Sequence, residues 1–145
     1  MLIYFDTCSL QRPLDNKTHM RVRLEAEAMI GLLAAVEDGK VKMVGSAILD
    51  FETAQNPNRI RKTFAVEMLR NASKFVALDE QVIRRARTFL SAGVKPIDAL
   101  HLASAEAAEA DYFCTCDDIL LEKGKLLQNY SPKIRTPIEL SGELQ

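Results

Sequence analysis

The sequence predicts an α/β fold built on a parallel sheet, and three observations carry that expectation. Short apolar runs of strand length alternate with longer stretches of helical periodicity, in the order strand, helix, strand, helices, strand. The chain has 145 residues, enough to bury a substantial core without disulfides or metals as staples. A composition of 48% hydrophobic and 27% charged residues, with no repeat, low-complexity tract or linker, is that of one ordinary folded domain spanning 1–145.

The first strand is "LIYF" (2–5), whose aromatic and branched side chains suit a buried pleated surface. Val22, Ala26, Met29, Leu33 and Val36 then repeat at spacings of four and three, which makes one apolar stripe on a helix ending near Gly39, with Glu25 and Glu27 on its wet face. "VKMV" (41–44) is the second strand, after which Ser46 is placed to cap the helix "AILDFETAQ". Helices are expected over 58–72 and 79–92, the second stopped by Gly93, with "FVAL" (75–78) as a strand between them. Pro96 opens an alanine-rich helix, since proline suits the first helical position. "YFCT" (112–115) is the fourth strand, a short helix follows "TCDD", and "KIRT" (133–136) adds a fifth strand at an edge. Residues 137–145 are expected to form a loosely held tail.

A formal net charge of -1 does not announce a nucleic-acid partner, so any phosphate contact must come from local basic clusters. Arg59 with Arg61 and Lys62, Arg84 with Arg85 and Arg87, and Lys123 with Lys125 are such clusters, each equally explained as a solvated helix face. Cys8, Cys114 and Cys116 are odd in number and follow no secretory signal, which predicts free thiols in a reducing cytoplasm. Their spacing lacks the zinc-knuckle pattern, and packing thiols are the simpler reading. No apolar run reaches the ~20 residues of a membrane span.

In a parallel sheet the carboxyl ends of all strands lie on one edge, and ligands bind in the crevice there. Asp6 directly follows the first strand, Asp117 follows the fourth, and Glu52 lies about one and a half turns into the helix after the second. Asp98 sits at the third position of the helix opened by Pro96, where a carboxylate benefits from the helix dipole. Each acid has an ordinary structural role as cap, turn former or exposed helix residue. Their recurrence at one topological edge favours a shared site, whose mutual repulsion a divalent cation relieves. Oxygen ligands without a matching histidine set point to Mg²⁺ or Mn²⁺ rather than zinc, and such an ion suits hydrolysis of a phosphodiester.

Asp50 lies about 200° around the helix from Glu52 and cannot share its pocket. Asp118, beside Asp117, remains open as a further ligand. His101, one turn after Asp98, either contacts the site or is satisfied within helix packing; His19 reads as loop.

The residues "YFDTCSL", "SAILDFE", "DALHLA" and "YFCTCDD", in that order over residues 3–118, resemble the motifs of the PIN-domain family, which includes the ribonuclease toxins of VapC-type toxin–antitoxin pairs. The resemblance implies a single PIN-like domain with a five-stranded parallel sheet flanked by helices. It implies a catalytic and metal-binding set of Asp6, Glu52, Asp98 and Asp117, holding Mg²⁺ or Mn²⁺ and cutting RNA by metal-activated water to leave a 5′-phosphate. Thr7, Ser9 and Thr115 would orient the carboxylates. An antitoxin protein is the expected partner of a toxin, and a homodimer would join basic surfaces along a groove. Cys8 departs from the asparagine or serine common in the family at that position, and "QRPLDN" reads either as a feature near the cleft or as a proline-bent turn with an Arg12–Asp15 salt bridge. Two other readings are weaker. A haloacid-dehalogenase-like phosphatase requires a second Asp where this chain has Cys8, and a non-catalytic PIN-like RNA- or protein-binding domain has no need of all four acids.

Overall fold

A computed structural model describes residues 1–144. Five strands form one all-parallel sheet in the order β3-β2-β1-β4-β5, with β1 at Leu2–Phe5, β2 at Lys42–Ser46, β3 at Lys74–Val76, β4 at Tyr112–Cys114 and β5 at Lys133–Arg135. Successive strand side chains point to opposite faces, so the complete burial of Ile3, Tyr4 and Phe5 means that helices cover the central strand on both sides. Each expected strand is present, β1 with the expected bounds and the other four displaced by one or two residues at their ends.

Eight α-helices among the described residues flank the sheet: α1 (Thr7–Gln11), α2 (Met20–Glu37), α3 (Ala47–Gln55), α4 (Arg59–Leu69), α5 (Glu80–Ser91), α6 (Pro96–Ala107), α7 (Asp118–Lys125) and α8 (Pro137–Glu143). In α2 the expected stripe is buried through Ala26, Met29, Leu33 and Val36, while Val22 is half-buried and Leu32 joins the core. The helix ends in a left-handed glycine cap: Gly39 has φ +74, and the N–H groups of Gly39 and Lys40 donate to Val36 O at 3.0 Å and Ala35 O at 2.9 Å. No helix among the described residues is long and apolar enough to cross a membrane.

Two expectations are corrected and one open alternative is decided. Glu25 is not on the wet face of α2; it is 1% exposed, with Oε1 3.0 Å from Arg12 Nη2 and 3.6 Å from Arg21 Nε. Two guanidinium partners compensate its desolvation, and one of them is thirteen residues away, outside the reach of a helical pattern. The segment "QRPLDN" is a proline-bent 3₁₀ turn over Arg12–Leu14, with the Arg12–Asp15 salt bridge at 2.9 Å. Asp15 also meets Arg61 at 2.8 Å, so one member of the first basic cluster is spent on tying this turn to α4.

The second correction concerns the end of the chain. Residues 137–143 are not a loose tail but α8, opened by a reciprocal capping box between Thr136 and Glu139, with Pro137 in its first turn. Leu140 is completely buried and α8 packs on α2 and β5; Gln145 of the expected tail lies outside the described residues. Replacing Leu140→Ala is therefore expected to cost about 2–5 kcal/mol of stability, the range for a buried leucine. Urea denaturation checks this; a change near zero would restore the picture of a dispensable end.

Candidate functional site

The strand order creates the site. From β1 the chain works outward through β2 to β3, then crosses back to place β4 on the other side of β1. The connections after β1 and β4 diverge, opening a crevice at their carboxyl ends. Phe5 pairs with Cys114, and the ladder continues one step as Asp6 N–H donates to Cys114 O at 3.1 Å. Asp6 and Asp117 thereby leave adjacent strands at the same edge.

Helices start where the strands end. Asp6 caps α1 by accepting from Ser9 N at 3.0 Å, Ser46 caps α3 by accepting from Leu49 N at 3.1 Å, and Asp117 caps α7 by accepting from Ile119 N at 2.9 Å and Leu120 N at 3.1 Å. The α6 N-terminus, with Pro96 in its first turn and Asp98 following, completes the rim. The positive ends of these helix dipoles face a collection of carboxylates, which partly offsets the repulsion among them.

Each acid is held differently. Asp6 is buried, and its carboxylate accepts from Ser9 N–H and, at 3.1 Å, from the Cys8 thiol, with further support from Thr115. Burial nonetheless pushes its pKa above the ordinary carboxylate value. For Glu52 burial acts in the same direction, but the His101 ring and the Thr7 hydroxyl, both 2.5 Å from Oε1, outweigh it and lower the pKa. Asp98 accepts no hydrogen bond from the described residues. Burial, then the charges of Asp6 and Asp117, raise its pKa, with Glu52 adding to the effect and His101 opposing it. The four sequence-chosen acids thus meet as electrostatic neighbours around one cleft. Asp98 and Asp117 line one small recess, and Glu52 and Thr7 line another next to Ile97, on the two sides of the α6 N-terminus.

The convergence is to a cleft and not to a point. Among the described residues no three His, Cys, Asp or Glu side chains are gathered closely enough to hold one metal ion as they stand. The donor chemistry still fits a hard divalent cation, because the groups that face one another are carboxylates and the half-buried Asp98 lacks a hydrogen-bonding partner.

The neighbouring acids separate. Asp50 is exposed and lines a groove between α3 and α4 with Lys62 and Arg70, away from Glu52. Asp118 is held outward by Arg21, whose two Nη atoms donate to its two oxygens at 2.6 Å. His101 satisfies both readings open at the sequence level: it is 2% exposed and it contacts Glu52. Sequence reasoning missed Tyr4, whose hydroxyl meets Ser46 Oγ at 2.8 Å and His101 Nδ1 at 2.6 Å; the available signal was one polar tip inside an otherwise apolar strand. Cys8 is a donor to Asp6 and not a bystander.

A family model, the PIN domain, matches residues 3–126. No curated protein matches the sequence. Eight chains of solved structures do match, among them one from the crystal structure of VapBC2 from Rickettsia felis bound to a DNA fragment from their promoter. The likeness covers 94% of this chain and 98% of that one at a TM-score of 0.58, and with 12% identity it is a likeness of fold.

The raised pKa of Asp98 has a consequence for stability. The fold favours its protonated form, so its contribution is complete below about pH 4, the unfolded value, and is lost as pH rises through the raised folded value. Asp98→Asn removes that loss. In chelator at pH 7 the variant is expected to melt above the wild type, with the gap closing as pH falls toward about 4. A variant that melts lower at pH 7 would mean that the carboxylate is satisfied by some other group.

Proposed function

Because the chain belongs to the PIN-domain family, we propose that it is a Mg²⁺- or Mn²⁺-dependent endoribonuclease, the toxin component of a VapC-type toxin–antitoxin pair acting in the cytoplasm. The observation that carries the reading is the meeting of Asp6, Glu52, Asp98 and Asp117 at the switch point of the sheet, with Asp98 raised by burial and by its like-charged neighbours. The fold shared with VapBC2 supports the toxin assignment. Three free cysteines accord with a reducing compartment.

In this reading the four carboxylates would hold the divalent ion, drawn together around it. When bound, such an ion neutralises phosphate charge and makes a water a stronger nucleophile toward phosphorus. The protein's part is placement. Ser9, Cys8 and Thr115 fix the Asp6 carboxylate on the end of β1, while Thr7 and His101 fix Glu52. Asp98, without a hydrogen-bonding partner, is the carboxylate freest to turn toward a cation. Dipoles of α1, α3, α6 and α7 add fixed positive potential where an RNA phosphate would sit. Attack by water then leaves a 5′-phosphate and a 3′-hydroxyl.

The substrate is RNA whose backbone follows basic side chains beside the acids, of which Lys95 and Lys123 line the recess of Asp98 and Asp117. A second copy of the chain and an antitoxin are the expected protein partners. Purified protein is expected to shorten a pool of RNAs with Mg²⁺ or Mn²⁺ and to lose that activity in chelator. Asp6→Asn and Asp98→Asn are each expected to slow cleavage by roughly 100-fold or more, the scale for losing a group that stabilises transition-state charge. Gel analysis of end-labelled RNA checks this. Retention of RNA without shortening would instead identify a binding domain, and equal cleavage by variants and wild type would reject the assigned roles.

A further inference from the structure

A line of buried hydrogen bonds runs from the core of the sheet to Glu52. Leu49 N–H donates to Ser46 Oγ at 3.1 Å, Ser46 Oγ meets the Tyr4 hydroxyl at 2.8 Å, Tyr4 meets His101 Nδ1 at 2.6 Å, and His101 Nε2 meets Glu52 Oε1 at 2.5 Å. Ser46, Tyr4 and His101 are all buried, so water does not complete their bonding. The two ends dictate the direction. An ionised carboxylate only accepts, so His101 carries its proton on Nε2; Nδ1 then accepts from the Tyr4 O–H, and Tyr4 oxygen accepts from the Ser46 O–H. Leu49 N–H fills the remaining acceptor on Ser46. With a neutral ring every group in the line is satisfied, whereas a doubly protonated ring would reverse the Tyr4 bonds and strand the Ser46 proton.

We propose that Tyr4 and His101 are positioning residues that lock Glu52 as a one-oxygen ligand, Oε1 consumed by the protein and Oε2 presented to the divalent ion. The inference rests on the proposed role of Glu52 in holding that ion. Its basis is geometric: Thr7 and His101 both converge on Oε1, and no described residue donates to Oε2. Three different elements, β1, α6 and α3, supply Tyr4, His101 and Glu52, so the line also couples the central strand to the helices on which the site is built.

The decisive variant is Tyr4→Phe, which deletes one oxygen and keeps the ring stacked on Phe113, 5.4 Å away with planes 7° apart. Nitrogen NMR of the imidazole in chelator is expected to show the Nε2–H tautomer in the wild type and in the variant, since Glu52 still accepts that proton, with the Nδ1 resonance shifted in the variant by loss of the Tyr4 hydrogen bond. Calorimetric titration with Mn²⁺ is expected to show affinity about 10-fold weaker for Tyr4→Phe and up to about 100-fold weaker for His101→Ala, the range for groups that orient metal ligands. His101→Gln, whose amide still donates toward Glu52, should recover part of that loss. Wild-type Mn²⁺ affinity and an unchanged Nδ1 resonance in Tyr4→Phe would overturn the proposal, as would a lowered melting temperature with no change in affinity. A wild-type chain that takes up no Mn²⁺ at all would instead overturn the metal-dependent reading of the site.

Discussion

The pairing of β1 with β4 is the constraint on which the rest depends. It is made by long-range parallel hydrogen bonds between segments about a hundred residues apart, and it brings Asp6 to the edge from which Asp117 departs. Were β4 added outside β3, the same sequence motifs would place their acids at opposite ends of the sheet. The gathering of the acids in this architecture therefore resides first in topology, and only then in side chains.

The site balances its negative charge by several unequal means. Glu52 is stabilised by direct donors, Asp6 by donors that do not fully offset burial, and Asp98 by no direct donor at all. Around this cluster, arginine is used structurally: Arg12 and Arg21 enclose Glu25, Arg21 also holds Asp118, and Arg61 holds Asp15. These pairs knit the turn after α1, the start of α2 and the loop after β4 into one frame. The arginines of that frame are consequently committed partners, and the side-chain cations that share a recess with the acids are Lys95 and Lys123, beside Asp98 and Asp117.

Much of this was legible in the sequence, for identifiable reasons. Strand runs such as "LIYF" and the stripe of α2 are local patterns, and local patterns report secondary structure directly. The parallel sheet followed from alternation, and the acids followed from the rule that strand ends share an edge. Glu25 was misplaced because its burial depends on Arg12, a partner that no periodicity reveals. The end of the chain was misjudged because "TPIELSGEL" is short and mixed in character, although Thr136 and Glu139 carried a capping signature. Helix α1 escaped notice since its five residues look like polar turn chemistry. The Tyr4–His101–Glu52 line spans elements that only the folded chain brings together, so sequence spacing offered no hint of it.

The sheet is also closed to growth at both margins. At one, β3 has only three residues, starts with Lys74, and leaves Phe75 60% exposed beside it; at the other, β5 is equally short and the chain folds back as α8 against it. Neither margin offers an incoming strand a useful run of free amides, so recruitment by ladder extension is disfavoured. The helical exterior and the acidic hollow are what remain for other molecules to grip, and a companion chain would have to read contour and charge instead of lending a sixth strand.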